Sequence, residues 1–93
     1  MTTQAAEKPE QGRITMYTTT WCGFCRRLKS QLGRDGIEMF EVDIERDPKA
    51  AEFVMSVNGG NQTVPTVVIQ TPDAGEVVLT NPSAKEVKRL IGA

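Results

Sequence analysis

The sequence predicts an α/β fold, a single domain of order β-α-β-α-β-β-α in which a four-stranded mixed sheet is flanked by helices. Three observations predict it. A β-rich run, Ile14–Thr18, leads directly into a helical pattern that opens on a Cys-X-X-Cys pair, Cys22 and Cys25. An alternating stretch at residues 38–44 is followed by an amphipathic run behind Asp47-Pro48. Two further β-rich runs, residues 66–70 and 76–80, bracket a turn-forming stretch and precede a last helical pattern.

The chain of 93 residues allows one domain with a modest core. Residues 1–12 are polar and aperiodic and are expected to form a disordered tail, which leaves residues 13–93 as the domain. Eleven basic residues stand against 12 acidic ones, a net charge of −1, so no nucleic-acid or membrane partner is expected. No apolar run approaches the ~20 residues of a membrane span. The first residues carry no apolar segment of the signal-peptide kind. Two closely spaced cysteines without a disulfide framework fit a reducing cytoplasm.

The elements follow in order. Ile14–Thr18 reads as a strand, and a central one, since it precedes the cysteine pair. Thr19 and Thr20 make the turn, with Thr20 a candidate helix cap. From about Cys22, a helix puts Phe24, Cys25, Leu28 and Leu32 at spacings of one, three and four, with Leu28 and Leu32 lining the buried stripe, and it should stop near Gly33 to Gly36, where glycine accommodates a left-handed cap. In residues 38–44, Phe40, Val42 and Ile44 alternate with Met39, Glu41 and Asp43, which predicts a strand with one solvated face. Asp47-Pro48 is a helix start, with Asp as N-cap and Pro at the first position. Ala50, Phe53, Val54 and Val57 then form an i, i+3, i+4, i+7 core stripe, ended by Asn58-Gly59-Gly60. Residues 66–70 and 76–80 should pair as an antiparallel hairpin around Thr71-Pro72-Asp73-Ala74-Gly75. The last helix is capped either by Asn81 with Pro82 behind it or by Ser83 in a capping box with Glu86, and buries Val87, Leu90 and Ile91.

The cysteine pair carries the chemistry. A helix starting near Cys22 points its first unpaired N–H groups at the Cys22 sulfur, and its positive end favours thiolate over thiol. A free cysteine titrates near ~8.5, so only a few per cent is thiolate at neutral pH. The helix end contributes about 0.3–1 kcal/mol, or ~2 when partly buried, at most roughly 1.5 pKa units. Arg26 and Arg27 add positive charge. Cys22 is therefore assigned as nucleophile at the exposed helix start, and Cys25, one turn further in, as resolving thiol. Three other readings compete. A structural zinc site needs four ligands, and the chain has two cysteines and no histidine. A structural disulfide closing so small a loop would stabilise by only ~2 kcal/mol. Two inert, buried thiols are the third.

The element order, with Cys-X-X-Cys after the first strand, resembles the glutaredoxin branch of the thioredoxin-like fold. Val64-Pro65 resembles the cis-proline loop of that superfamily, which sits beside the active-site cysteines. The likeness is closer still to mycoredoxins, the actinobacterial glutaredoxin-like proteins. It is carried by Trp21-Cys22-Gly23-Phe24-Cys25, Glu41-Val42-Asp43-Ile44-Glu45, Ser56-Val57-Asn58-Gly59-Gly60-Asn61, Thr63-Val64-Pro65-Thr66-Val67 and Leu79-Thr80-Asn81-Pro82-Ser83, and extends over residues 14–90.

The resemblance implies a thiol–disulfide oxidoreductase that reduces mycothiol–protein mixed disulfides. Mycothiol would be co-substrate, with no tightly bound cofactor, and a mycothiol disulfide reductase would supply electrons from NADPH. It further implies a monomer whose substrate contacts come from Trp21, Phe24, Thr63, Val64, Pro65, Thr80, Asn81 and Ser83, with the Val64 backbone pairing with the bound thiol. One departure is informative. Typical glutaredoxins have a Gly-Gly turn and an acidic residue at the last helix start, where the γ-glutamyl end of glutathione is held; this chain has Thr80-Asn81-Pro82-Ser83. Mycothiol has no γ-glutamyl group, so the difference favours it. Two alternatives stay open: a dithiol donor fed by thioredoxin reductase, and a dimer carrying an iron–sulfur cluster between two Cys22 thiolates, which Gly23 in place of the motif proline permits.

Overall fold

The structure, a computed structural model, describes residues 13–71 and 74–92. The expected tail at residues 1–12 and the turn residues Pro72 and Asp73 lie outside the described residues, as does Ala93. The elements are β1 (Ile14–Thr18), α1 (Gly23–Arg34), β2 (Phe40–Asp43), α2 (Pro48–Val57), β3 (Thr66–Thr71), β4 (Gly75–Thr80) and α3 (Ala84–Ile91), in the predicted order. The sheet runs β2-β1-β3-β4. β1 pairs parallel with β2, with Met16 opposite Glu41, and antiparallel with β3, with Met16 opposite Val67. β3 and β4 form the expected antiparallel hairpin, Val68 opposite Val78.

Successive strand residues face opposite sides of a sheet, and this divides the core in two. Ile14 and Met16 of β1, with Val67 and Ile69 of β3, meet Leu28 and Leu32 of α1 and Val87 of α3. Tyr17, on the other face, joins Val42, Ile44 and the α2 residues Ala50, Phe53 and Val54, and its ring centroid lies 5.1 Å from that of Phe53. So α1 and α3 cover one face, and α2 covers the other.

Caps follow the sequence in α2 and α3. Asp47 Oδ1 accepts from the Ala50 N–H (3.2 Å), with Pro48 in the first turn. Of the two caps open for α3, Ser83 is the one used: its Oγ accepts from the Glu86 N–H at 3.1 Å. At the end of α1, Gly33 stays helical and Asp35 is the cap, while Gly36 takes the left-handed conformation (φ 74°).

Three local expectations are corrected. Thr20 does not cap α1; Cys22 does, through its own sulfur, because a sulfur one residue before the first turn reaches the free N–H groups that Thr20 cannot. Val57 is 39% exposed rather than core, since the inward position at the end of α2 is taken by Asn58, whose Nδ2 donates to Val54 O and Thr66 Oγ1. β2 has no wholly solvated face. Met39 packs with the α1–α3 core and Val42 with the α2 core, while Glu41 pairs with Lys29 of α1 at 2.6 Å. Phe40, at the start of this edge strand, is 57% exposed, and the Arg13 guanidinium sits 4.5 Å from its ring centroid.

Candidate active site

β1 is a central strand, and it delivers the chain through the buried Thr18 and Thr19 to the start of α1. The turn is tied by the Cys22 N–H donating to Thr19 O at 3.3 Å. There the Cys25 N–H donates to Cys22 Sγ (3.1 Å), so the first cysteine is the N-cap of the helix that carries the second. The two are joined as a disulfide, with Cα atoms 5.3 Å apart. Cys25 faces the core, as expected. Cys22 is more enclosed than the exposed helix start anticipated in the sequence, with only 5% of its surface open. Trp21 and Phe24, 66% and 60% exposed, stand on either side of it in the chain.

The flanking arginines separate in role. Arg26 donates from its guanidinium to Thr20 O at 3.1 Å, which folds it back over the turn. Arg27 lines a groove of about 300 Å³ with Phe24, Leu28, Gln31, Asn81, Pro82 and Ser83, between α1 and the start of α3. A second cavity, about 250 Å³, opens on the β2 side of Cys25 among Thr18, Thr19, Thr20, Arg26, Lys29, Glu41 and Asp43. Thr19 Oγ1 is buried without a hydrogen-bond partner among the described residues.

The Val64–Pro65 bond is cis. Pro65 is buried, and Val64 packs against both halves of the core. The residues named with them from sequence are distributed as follows. Thr63 O accepts from Thr66 Oγ1 (2.7 Å), and the Asn81 N–H donates to Pro65 O (2.8 Å). The Thr80 hydroxyl is turned to Asn58 Oδ1 at 2.7 Å, and that of Ser83 caps α3, so both hydroxyls already have partners within the chain. Phe24, Asn81 and Ser83 share the α1–α3 groove, whereas Trp21 is held elsewhere by its Nε1 donating to Glu45 Oε2 (3.1 Å). Glu45 and Asn58 were not picked out from sequence as site residues. Asn58 follows the helix pattern and sits before two glycines, which signals a helix end and nothing more.

Among the described residues no group of three or more His, Cys, Asp or Glu side chains is gathered to hold a metal. Among the same residues no helix is long and apolar enough to cross a membrane. What the arrangement can do is exchange disulfides: a sulfur with a helix N–H directed at it and a second sulfur within bonding reach.

Residues 14–71 match the family model for glutaredoxin. A candidate glutaredoxin of Mycobacterium tuberculosis is 59% identical over 75 residues, covering 81% of this chain and 84% of that one. Mycoredoxin 1 of Corynebacterium glutamicum is 45% identical over 74 residues, covering 80% and 86%. The crystal structure of a glutaredoxin from Archaeoglobus fulgidus superimposes with a TM-score of 0.67 over 100% of this chain and 98% of its own, at 23% identity, a likeness of fold.

Proposed function

Since the chain belongs to the glutaredoxin family, as a thiol–disulfide oxidoreductase with close similarity to mycoredoxin, we propose that it removes mycothiol from protein mixed disulfides in a reducing cytoplasm, acting as a monomer. The observation that carries the reading is the Cys25 N–H on Cys22 Sγ, which favours the thiolate needed for attack. The 45% identity to a protein named mycoredoxin, and Asn81-Pro82-Ser83 in place of an acidic glutathione clamp, support mycothiol as the small thiol.

The Cys22 thiolate attacks the mycothiol sulfur of the mixed disulfide. The target protein leaves as a thiolate, which takes a proton from water, and mycothiol stays on Cys22. A second mycothiol thiolate attacks the mycothiol sulfur of that adduct, releasing the Cys22 thiolate and mycothiol disulfide. A mycothiol disulfide reductase then returns this product to mycothiol with NADPH. During the cycle the backbone of Val64 pairs with the cysteinyl part of the bound thiol as an added strand. Trp21 and Phe24 offer exposed aromatic surface for the protein substrate to meet.

The Cys22–Cys25 disulfide favours a second reading, a dithiol donor fed by thioredoxin reductase. One comparison separates the two. The protein is given a mycothiolated and a glutathionylated target, each with its own thiol, reductase and NADPH, and in a third arm thioredoxin reductase alone. Mycothiolated target should turn over at least about tenfold faster, a discrimination of ~1.4 kcal/mol. Equal rates with glutathione, or full activity with thioredoxin reductase alone, would reject mycothiol dependence.

A further inference from the structure

We propose that Asn58 and Thr66 form a positioning relay that directs the Val64 N–H at an acceptor on the bound thiol. The inference rests on the strand-like pairing of that thiol with Val64 proposed above. Four hydrogen bonds carry it. Thr80 Oγ1 donates to Asn58 Oδ1 at 2.7 Å. Asn58 Nδ2 donates to Val54 O at 2.7 Å and to Thr66 Oγ1 at 3.0 Å. Thr66 Oγ1 passes its own proton to Thr63 O at 2.7 Å.

The donor and acceptor inventory leaves one arrangement. Asn58 has two amide hydrogens and both are engaged, and its orientation is fixed by Val54 O, which can only accept, so a flipped amide would set oxygen against oxygen there. Thr66, having accepted from Asn58, has a single proton, and Thr63 O is where it goes. The chain runs head to tail from β4 through the end of α2 to β3 and into the loop, so each bond polarises the next.

Its consequence falls on a peptide plane. The Thr63–Val64 peptide is trans and planar, so its C=O and N–H point in opposite directions. Thr66 is fully buried, and its hydroxyl draws the Thr63 carbonyl inward. The N–H of Val64 is thereby turned outward, and it has no hydrogen-bond partner among the described residues. On the other side of Val64, the Asn81 N–H holds Pro65 O at 2.8 Å. A ligand with an amide carbonyl beside its sulfur, as any acylated cysteine has, meets an N–H already oriented. Neither Asn58 nor Thr66 contacts it; both act through the Thr63–Val64 peptide.

The test compares Thr66→Val, which keeps the shape and loses the proton, with Thr66→Ser, which keeps the hydroxyl. Asn58→Ala breaks the relay at its middle member and reads the same quantities should Thr66→Val not fold. Three quantities are read in the full chain: KM and kcat on a mycothiolated protein, the iodoacetamide alkylation rate of reduced Cys22, and the Val64 amide resonance as the Cys25→Ser variant forms its mixed disulfide with mycothiol. Thr66→Val and Asn58→Ala should raise KM about five- to tenfold, the worth of one oriented hydrogen bond, and by more than kcat falls. Alkylation should stay at the wild-type rate, the Val64 resonance should lose its downfield displacement, and Thr66→Ser should behave as wild type. If Thr66→Val keeps both the displacement and KM, the relay is wrong and the strand pairing stands. If Val64 fails to respond to mycothiol even with Thr66 and Asn58 intact, the strand pairing itself fails and the relay falls with it.

Discussion

The Cys25 N–H donates to Cys22 Sγ at 3.1 Å, so the sulfur proposed as the nucleophile and the cap of α1 are one atom. A serine at position 25 keeps that backbone N–H, and the Cys25→Ser variant therefore isolates its effect on Cys22. The Cys22 thiol, freed from the disulfide, should titrate below the ~8.5 of a free cysteine, because the helix end favours its thiolate. Thiolate absorbance near ~240 nm followed against pH measures it directly. A midpoint at or above that of free cysteine would remove the cap as the source of activation.

Trp21 and Glu45 are bonded across 24 positions of chain, indole Nε1 to carboxylate Oε2 at 3.1 Å, although the ring is 66% exposed. The chain has one tryptophan, so its emission reports this contact alone. Glu45→Ala should free the ring and lower its fluorescence anisotropy, while costing less than about 1 kcal/mol of stability, as an exposed hydrogen bond does. Unchanged anisotropy would mean that packing, not Glu45, holds the ring.

Much of this architecture is legible along the chain because its signals are local. Asp47-Pro48 announces α2 by capping chemistry, and the β-rich run Ile14–Thr18 announces β1. Cys22 and Cys25 are legible for the same reason, since one helical turn separates them. What local pattern misreads is decided by neighbours in space. Val57 continues a helical stripe but meets solvent, because Asn58 turns inward to Thr66 and Thr80. Phe40 belongs to an alternating run, yet β2 lies at the sheet edge, and a strand order is not written in any one strand. The Asn58 network and the Trp21–Glu45 bond escape a sequence reading altogether, as each joins side chains through tertiary contact.

Tyr17 should weaken the fold at alkaline pH. Burial against the α2 core holds its phenol above the ordinary value of 10.0, and the negative charges of Glu76 and Asp47 push the same way. In the unfolded chain the phenol ionises first as pH rises, so the unfolded state binds fewer protons there and gains on the folded one. The contribution of neutral Tyr17 is complete below pH 10.0 and is lost as pH climbs through the raised folded value. Tyr17→Phe keeps the ring against Phe53 and should flatten this alkaline loss in urea melts taken across that range. A slope equal to that of wild type would assign the loss to other groups.

The two cysteines should separate by substrate, and the reason lies in what each reaction must release. Freeing a protein from one small thiol needs a single attacking sulfur, provided a second small thiol completes the cycle. Cys22 suffices for that, while Cys25, with its Cα only 5.3 Å from that of Cys22, competes by closing a disulfide that must be reopened. Cys22→Ser should therefore abolish turnover of a mycothiolated protein, and Cys25→Ser should retain most of it when mycothiol is supplied. An intramolecular protein disulfide makes a different demand. Attack by Cys22 leaves the target covalently attached, and its own second thiol is then free to reverse the step. Only an attack by Cys25 on the Cys22 sulfur releases the target fully reduced. Activity on such disulfides should vanish in Cys25→Ser and leave a protein–protein adduct on a non-reducing gel. If Cys25→Ser is instead inactive on mycothiolated protein with mycothiol present, the one-thiol cycle is wrong, and the dithiol donor takes its place.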